Sequence, residues 1–312
     1  MRILILGYHN IGYVCLKELL ERGEEVIAVV THRDDPEEEV WFESVAELAL
    51  AHNIPLYRPE NVNSPSTVLT IRGLRPDILF SFYYRQLLGR EILEIPRMGC
   101  INLNGSLLPK YRGRCPVNWV LIHGEEKTGV TMHYMVEEAD SGDIIAQKEV
   151  AIDFEDTAYT LHQKLARAAL DLFRETFPLI KEGKASRIPQ DHSQASYYGA
   201  RRPKDGEIDW TRSARDIYNL VRAVTHPYPG AFTFYQGKRL FIWSAQLEQG
   251  GSPEGGDPGT IRRIVEGEGF VVSTGSGGLL IKQAQLEGGG EMRGDELLNQ
   301  FQIQVRSQLG NG

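Results

Sequence analysis

Two asparagines set two residues apart, Asn102 and Asn104 in Cys100-Ile-Asn-Leu-Asn-Gly-Ser-Leu-Leu-Pro109, and one carboxylate in Ala139-Asp140-Ser-Gly142 are the residues best suited to chemistry. Side chains alternate along a strand, so Asn102 and Asn104 share a face. An amide N–H on that face can be aimed at the oxyanion of a tetrahedral intermediate as it forms at a carbonyl carbon. The same reaction must move protons near neutral pH, and an amide does not titrate there. His133, on the strand that opens with Gly129-Val-Thr131, is the nearest imidazole in sequence able to take that part, although a strand histidine is more often packed than basic. Taken singly, the asparagines read as turn formers and Asp140-Ser-Gly as an ordinary turn. Their joint order with Leu-Leu-Pro109 and Gly129-Val-Thr131 points to a site.

The elements that must position these residues follow from apolar spacing. Residues 3–6 read as a buried strand, and Val14, Leu16, Leu19 and Leu20 as the apolar side of a helix. The alternation continues with a strand at 26–30, a helix at 45–51, a strand at 54–57, a helix at 68–74, and strands at 78–82 and 99–103. This pattern predicts a parallel sheet with helices on both faces. It sets Asn102 and Asn104 at a strand's C-terminal end, where ligands bind in open α/β sheets. Pro116 opens a helix that Gly124 stops. Strands at 130–135 and 144–150 follow, then a helix whose stripe is Leu161, Leu165, Ala168, Ala169 and Leu172 and which Pro178 is expected to bend or end. Polar composition at 190–206 reads as a linker. Beyond it, a helix at 214–224 and short strands at 231–235, 240–243, 259–265, 270–273 and 279–284, with an exposed loop at 250–259, suggest a small OB-like β-barrel. The predicted organisation is an α/β, Rossmann-like parallel-sheet domain over residues 1–200 and an OB-like domain over residues 201–312.

The run Asn102-x-x-Gly-Ser-Leu-Leu-Pro-Lys-Tyr-Arg-Gly113, then Gly129-Val-Thr131 and Ala139-Asp140-Ser-Gly142, resembles the folate-dependent formyltransferase family in order and spacing. Phe80-Ser-Phe-Tyr-Tyr-Arg85, Pro109-Lys-Tyr-Arg-Gly-Arg114 and Asn118-Trp-Val-Leu121 are similar, more narrowly, to the formyltransferase domain of the bifunctional UDP-4-amino-4-deoxy-L-arabinose formyltransferase/UDP-glucuronate decarboxylase of lipid A modification. That likeness covers nearly the whole chain, and the decarboxylase domain has no counterpart within it. The resemblance implies transfer of a formyl group from 10-formyltetrahydrofolate, as co-substrate, to the 4-amino group of a nucleotide-linked sugar. It implies that Asn102 stabilises the oxyanion and that Asp140 holds, and raises the pKa of, a histidine that the family carries where this chain has Asn104. It further implies that Gln86, Leu87 and Leu88 line the folate pocket, that Arg114 binds substrate or folate, and that Val136, Glu137, Glu138, Ala139 and Asp140 meet the pterin. His9 and Asn10, in Gly7-Tyr-His-Asn-Ile-Gly12, would lie near the sugar nucleotide. From its residues alone this loop lacks GxGxxG spacing and reads as a tight turn.

Asn104 keeps a second class open, a protein that binds folate and sugar nucleotide without turnover. A methionyl-tRNA formyltransferase shares the two-domain plan, but a net charge of −8 and the acidic run Arg33-Asp-Asp-Pro-Glu-Glu-Glu39 oppose a polyanion. Glycinamide ribonucleotide formyltransferase resembles only the first domain. Three cysteines without CxxC spacing suggest neither a disulfide framework nor a metal site. No run approaches the ~20 apolar residues of a membrane span. The expected setting is the cytoplasm, with small-molecule partners, no nucleic acid, no membrane insertion, and homo-oligomers possible.

Overall fold

In the computed structural model, which describes residues 1–36, 38–248 and 256–310, apolar pentads buried on both faces build the centre of the first sheet. In chain order come β1 (Ile3–Gly7), α1 (His9–Glu21), β2 (Val26–Val30), α2 (Val45–Ala51), β3 (Leu56–Tyr57), α3 (Pro65–Leu74), β4 (Ile78–Phe82), α4 (Arg90–Leu93) and β5 (Cys100–Asn104). They are followed by β6 (Arg112–Gly113), α5 (Pro116–Ile122), β7 (Lys127–Tyr134), β8 (Ile144–Ala151), α6 (Ala158–Lys181) and β9 (Tyr197–Tyr198). The last group is α7 (Ala214–Val224), β10 (Ala231–Tyr235), β11 (Lys238–Leu247), β12 (Ile261–Val265), β13 (Gly269–Ser273), β14 (Gly278–Leu286), β15 (Met292–Arg293) and α8 (Gly294–Gln300). Two compact units result. One comprises Met1–Pro116, Lys127–Ile152 and His162–Gly199; the other comprises Val117–Glu126, Asp153–Leu161 and Ala200–Gly312.

In the first unit the strand order is β3-β2-β1-β4-β5-β7-β8. The chain winds from β1 outward to β3, returns to β4 on the other side of β1, and continues outward, so the order reverses between β1 and β4. Ligand crevices open at such reversals, outside the strands' carboxyl ends. β1 to β5 are mutually parallel, as the alternation of strands and helices requires. One strand differs from the parallel expectation: β7 runs antiparallel to both its neighbours, β5 and β8. The β7–β8 connection carries no crossover helix, and a short connection can join only antiparallel neighbours.

Two glycines are required locally. A Cβ on Gly12 would sit 3.3 Å from the Gly7 Cα and 3.1 Å from a Val45 methyl, so the glycine pair lets α1 cross close over the end of β1. That is the tight-turn reading of the Gly7 to Gly12 loop. Gly113 adopts φ +97°, and a Cβ there would overlap the Tyr198 carbonyl of the paired β9.

The expected stripe of α6 is buried throughout, Leu161, Leu165, Ala168, Ala169 and Leu172 included. Pro178 does not end the helix: α6 runs on to Lys181, and the Glu182 N–H donates to the Pro178 carbonyl at 3.0 Å. A proline in the final turn forfeits a single ladder bond, which the buried face outweighs.

The second unit holds a six-stranded antiparallel sheet in the order β10-β11-β14-β13-β12, with β15 on β14. The segment after α8 connects its outer strands. Arg306 and Leu309 N–H groups donate to carbonyls of Ile261 and Gly259 beside β12, and the Gly310 N–H donates to Phe234 of β10. Such bridging of the two edges is the closure an OB-like barrel needs. Residues 250–255 of the expected 250–259 loop, and Glu37 of the acidic run, lie outside the described residues. Among the described residues no helix is long and apolar enough to cross a membrane.

Candidate functional site

Register brings the expected residues together. Asn102 pairs with His133 and Asn104 with Thr131 across the antiparallel β5–β7 ladder, so all four side chains stand on one sheet face. Thr131 anchors the loop that leaves β5: its hydroxyl donates to the Ser106 carbonyl at 2.7 Å and accepts from the Leu108 N–H at 3.1 Å and from Gln147 Nε2 at 2.8 Å. Asp140 arrives from the loop between β7 and β8, in the left-handed region at φ +56°.

The Asp140 carboxylate is the hub. Its Oδ2 accepts from the Gly113 N–H at 2.8 Å, and its Oδ1 lies 3.4 Å from Asn102 Nδ2 and 3.5 Å from His133 Nε2. Asn104 also donates to it. Burial alone would push the Asp140 carboxyl up. Hydrogen bonding and charge from His133, the Gly113 N–H and Asn104 outweigh that effect and hold it below the usual carboxylate range, so Asp140 is an anion at neutral pH.

His133 is 1% exposed. Its Nδ1 lies 2.8 Å from the Tyr134 carbonyl, which can only accept, so Nδ1 carries the hydrogen. In the neutral ring Nε2 is therefore an acceptor, and Asn102 Nδ2 donates to it at 3.1 Å. When the ring gains a second proton, Nε2 becomes a donor and its partner changes from Asn102 to Asp140. Protonation of His133 thereby releases an Asn102 N–H.

Asn104 is 7% exposed and fully engaged. Its Oδ1 accepts from Ser106 Oγ at 3.0 Å, which directs its NH2 toward Asp140. Position 104 thus fills the space beside Asp140 with a group that donates but cannot exchange a proton.

The residues expected around a folate divide differently. Gln86 spends its side chain on the neighbouring loop: Oε1 accepts from the Val62 N–H at 2.8 Å, and Nε2 donates to the Glu60 carbonyl at 3.0 Å. Leu88 packs in the core with Val62, Val68 and Ile92. Leu87 is 66% exposed, so of the three it alone offers an uncovered apolar side chain. Val136, Glu137 and Glu138 are exposed on the β7–β8 loop and Ala139 is half-buried. Val136 and Glu138 line an open cavity of about 410 Å³ with Tyr134, Met135 and Arg187. Arg114 is exposed, with its backbone N–H on the Tyr198 carbonyl.

His9 and Asn10 sit apart from the Asp140 group. Asn10 is buried, and its Oδ1 accepts from the Glu43 N–H at 3.1 Å. His9 stacks on Phe42 with centroids 4.0 Å apart and lies 4.2 Å from the ring of His162. Burial, with the nearby His162 and Arg85, pushes His9 down to about 2, and burial pushes His162 down to about 4. Neither ring is a cation near neutrality. His162 escaped the sequence reading because it falls beside the apolar stripe of an amphipathic helix. Both of its ring nitrogens, and His9 Nδ1, lack a hydrogen-bond partner among the described residues.

The His162 shift carries a stability prediction. The unfolded chain takes up a proton near pH ~6.5, before the folded ring does, so the neutral ring's contribution is complete above that value and lost as pH falls toward about 4. His162→Phe is expected to leave stability at pH 7.5 within about 1 kcal/mol of the starting protein, since no hydrogen bond is removed. It should make the acid loss shallower by about 1.4 kcal/mol per pH unit in that window. Urea denaturation across the pH range reads this, and superimposable profiles would show that the folded ring protonates freely.

Among the described residues no cluster of three or more His, Cys, Asp or Glu could hold a metal. Residues 1–176 match the family model described as formyl transferase, and residues 201–302 match that described as formyl transferase, C-terminal domain. Among solved structures, WlaRD, a sugar 3N-formyl transferase crystallised with dTDP and 5-N-formyl-THF, is 22% identical with a TM-score of 0.67 over 92% of this chain and 98% of its own. An N-formyltransferase from Helicobacter canadensis, in complex with folinic acid and dTDP-3-aminofucose, is 20% identical with a TM-score of 0.67 over 89% and 98%. HypX from Aquifex aeolicus, in complex with tetrahydrofolic acid, is 18% identical with a TM-score of 0.66 over 99% of this chain; the chain spans 48% of that protein's length. At these identities the likeness is one of fold.

Proposed function

The chain belongs to the formyl transferase family, and we propose that it transfers a formyl group from 10-formyltetrahydrofolate to the amine of a nucleotide-linked amino sugar, UDP-4-amino-4-deoxy-L-arabinose being favoured, at a rate lowered by Asn104. The observation that carries this reading is the convergence of Asn102, His133 and the Gly113 N–H on the Asp140 carboxylate at the end of β5. The dTDP and 5-N-formyl-THF crystallised with WlaRD, and the dTDP-3-aminofucose and folinic acid with the Helicobacter enzyme, support the substrate classes. The net charge of −8 argues against tRNA as the amine's carrier.

In this reading the amine nitrogen attacks the formyl carbon, an N–C bond forms, and the carbonyl oxygen becomes an oxyanion that Asn102 meets with an N–H. The C–N bond to the folate nitrogen then breaks, and a proton passes from the amine to the leaving nitrogen. Asn104 can orient Asp140 but cannot carry that proton. Ligand binding does not depend on a proton carried at position 104, so affinity is retained while turnover falls.

The Nε2 geometry of His133 favours a second reading of the proton path. A proton taken up there is stabilised by Asp140 and frees an Asn102 N–H for the oxyanion, which couples the two tasks. His133→Ala is then expected to lower kcat by roughly 10²-fold or more while folate and sugar nucleotide still bind. An unaltered kcat in that variant excludes His133.

Formylation assays with UDP- and dTDP-linked amino sugars, alongside calorimetric titration of each and of a folate, test the main proposal. Binding of a folate and one sugar nucleotide is expected. No binding of either, by this chain or by Asn104→His, would overturn the substrate assignment.

A further inference from the structure

Asp140 is held in a backbone conformation that side chains with a Cβ disfavour, so its neighbours must impose it. Two residues far away in sequence do so. Gln190 Nε2 donates to the Asp140 carbonyl at 2.8 Å and to the Gly142 carbonyl at 2.7 Å, while its Oε1 accepts from Arg112 Nη2 at 2.6 Å and Nε at 3.2 Å. Every donor and the acceptor of this buried carboxamide are thereby committed, and its orientation is fixed. Arg112 is 1% exposed. Its Nη1 donates to the Tyr197 hydroxyl, which donates on to Glu138 Oε1 at 2.6 Å, and its Nη2 faces His192 Nδ1 at 3.3 Å.

A buried guanidinium whose acceptors are an amide, a phenol and an imidazole is costly to keep, and an apolar side chain would fill the space more cheaply. Its planar fork, however, turns the Gln190 amide so that both N–H bonds point at the 140–142 turn. A lysine ammonium could not fix that plane. The adjacent Gly113 N–H meets the carboxylate itself, so one two-residue strand, β6, governs both the backbone and the side chain of Asp140. Pairing of β6 with β9 sets the whole device, because it aligns Arg112 with Tyr197.

We infer that Arg112 and Gln190 are positioning residues for Asp140, holding its carboxylate within reach of Asn102 and His133. As a statement about turnover this rests on the proposed function; as a statement about geometry it does not. The distances involved, 3.4 Å and 3.5 Å, leave little slack, and a displacement of about 1 Å at a reacting group can cost 10²-fold in rate.

Gln190→Glu separates positioning from folding. A carboxylate keeps, and strengthens, the pairing with Arg112, yet has no N–H for the two turn carbonyls. The melting temperature is expected to fall only modestly, because the stronger pairing with Arg112 offsets part of the cost of the two lost turn hydrogen bonds. Side-chain 15N NMR at neutral pH should find the Asn102 amide resonances shifted, since the Asp140 carboxylate has moved out of their hydrogen-bond reach. In an Asn104→His background the variant should lose kcat roughly tenfold to a hundredfold with KM for the amino sugar within about threefold. Arg112→Lys, which retains the charge and loses the fork, carries the same readouts and serves if Gln190→Glu does not fold. A shifted Asn102 amide without formyl transfer in any variant would overturn the proposed reaction and leave the positioning role intact. A folded Gln190→Glu protein with unmoved Asn102 amide resonances and unaltered kcat would overturn the positioning role.

Discussion

Replacing Asn104 by histidine is expected to raise the rate of formyl transfer by roughly 10²–10⁴-fold, the usual contribution of a positioned acid-base group. The site already holds what an imidazole at 104 would use. Ser106 Oγ stands 3.0 Å from the present Asn104 Oδ1, and Asp140 lies on the other side as an anion. An imidazole N–H directed at that carboxylate gains stability in its protonated form, so its pKa rises toward the working pH. Asparagine offers a donor to Asp140 without a titration. The ring is bulkier than the amide at a position 7% exposed, and overpacking of about 1–3 kcal/mol is the expected cost in stability. Steady-state kinetics of both proteins with one amino sugar, together with a pH–rate limb near neutrality that is new to the variant, check the claim. Equal kcat values would show that position 104 is not where the proton is carried, and would direct attention to His133.

What could be read from the chain beforehand was the part governed by local period. The strand and helix alternation through β5 needs only apolar spacing, and it was enough to place Asn102 and Asn104 on one face at a strand's carboxyl end. The antiparallel turn of β7 and β8 was not legible, because direction depends on the connection rather than on the strand's own residues. Helix α8 was missed since a seven-residue element with two buried leucines, Leu297 and Leu298, is too short to display a period. In the sequence Gln190 reads as linker, since Pro189, Asp191, Ser193 and Gln194 around it are turn-forming or polar. Its burial comes from Arg112, 78 residues away, and from carbonyls of the 140–142 turn. Sequence proximity likewise suggested His133 without revealing that it sits opposite Asn102 in the ladder. A site assembled from four segments shows its members in the sequence, but its hydrogen-bond directions exist only after folding.

Asp140→Asn should be the most damaging conservative change in the molecule. The carboxylate accepts from the Gly113 N–H on one oxygen and, on the other, faces the Asn102 donor and, once the ring is protonated, His133 Nε2. An amide can present one oxygen only. Its NH2 must then oppose either the Gly113 N–H or the Asn102 NH2, leaving a buried donor unsatisfied at about 1–3 kcal/mol. Turnover in the Asn104→His protein is expected to fall by at least about 10²-fold, because the imidazole loses the anion that raises its pKa. The stability loss has a pH signature. The folded Asp140 carboxyl titrates below its unfolded value of ~3.9, so its contribution is present above that pH and is lost as pH falls through the folded value. The starting protein should therefore lose this stabilisation on acidification, whereas Asp140→Asn, which has no group there to titrate, should not. Thermal melts from pH 7 downward should show the two proteins furthest apart at neutrality and converging below about pH 4. A gap that stays constant over that range would mean the loss comes from packing at position 140, and the carboxylate's charge would then have to be removed from both the stability account and the proton path.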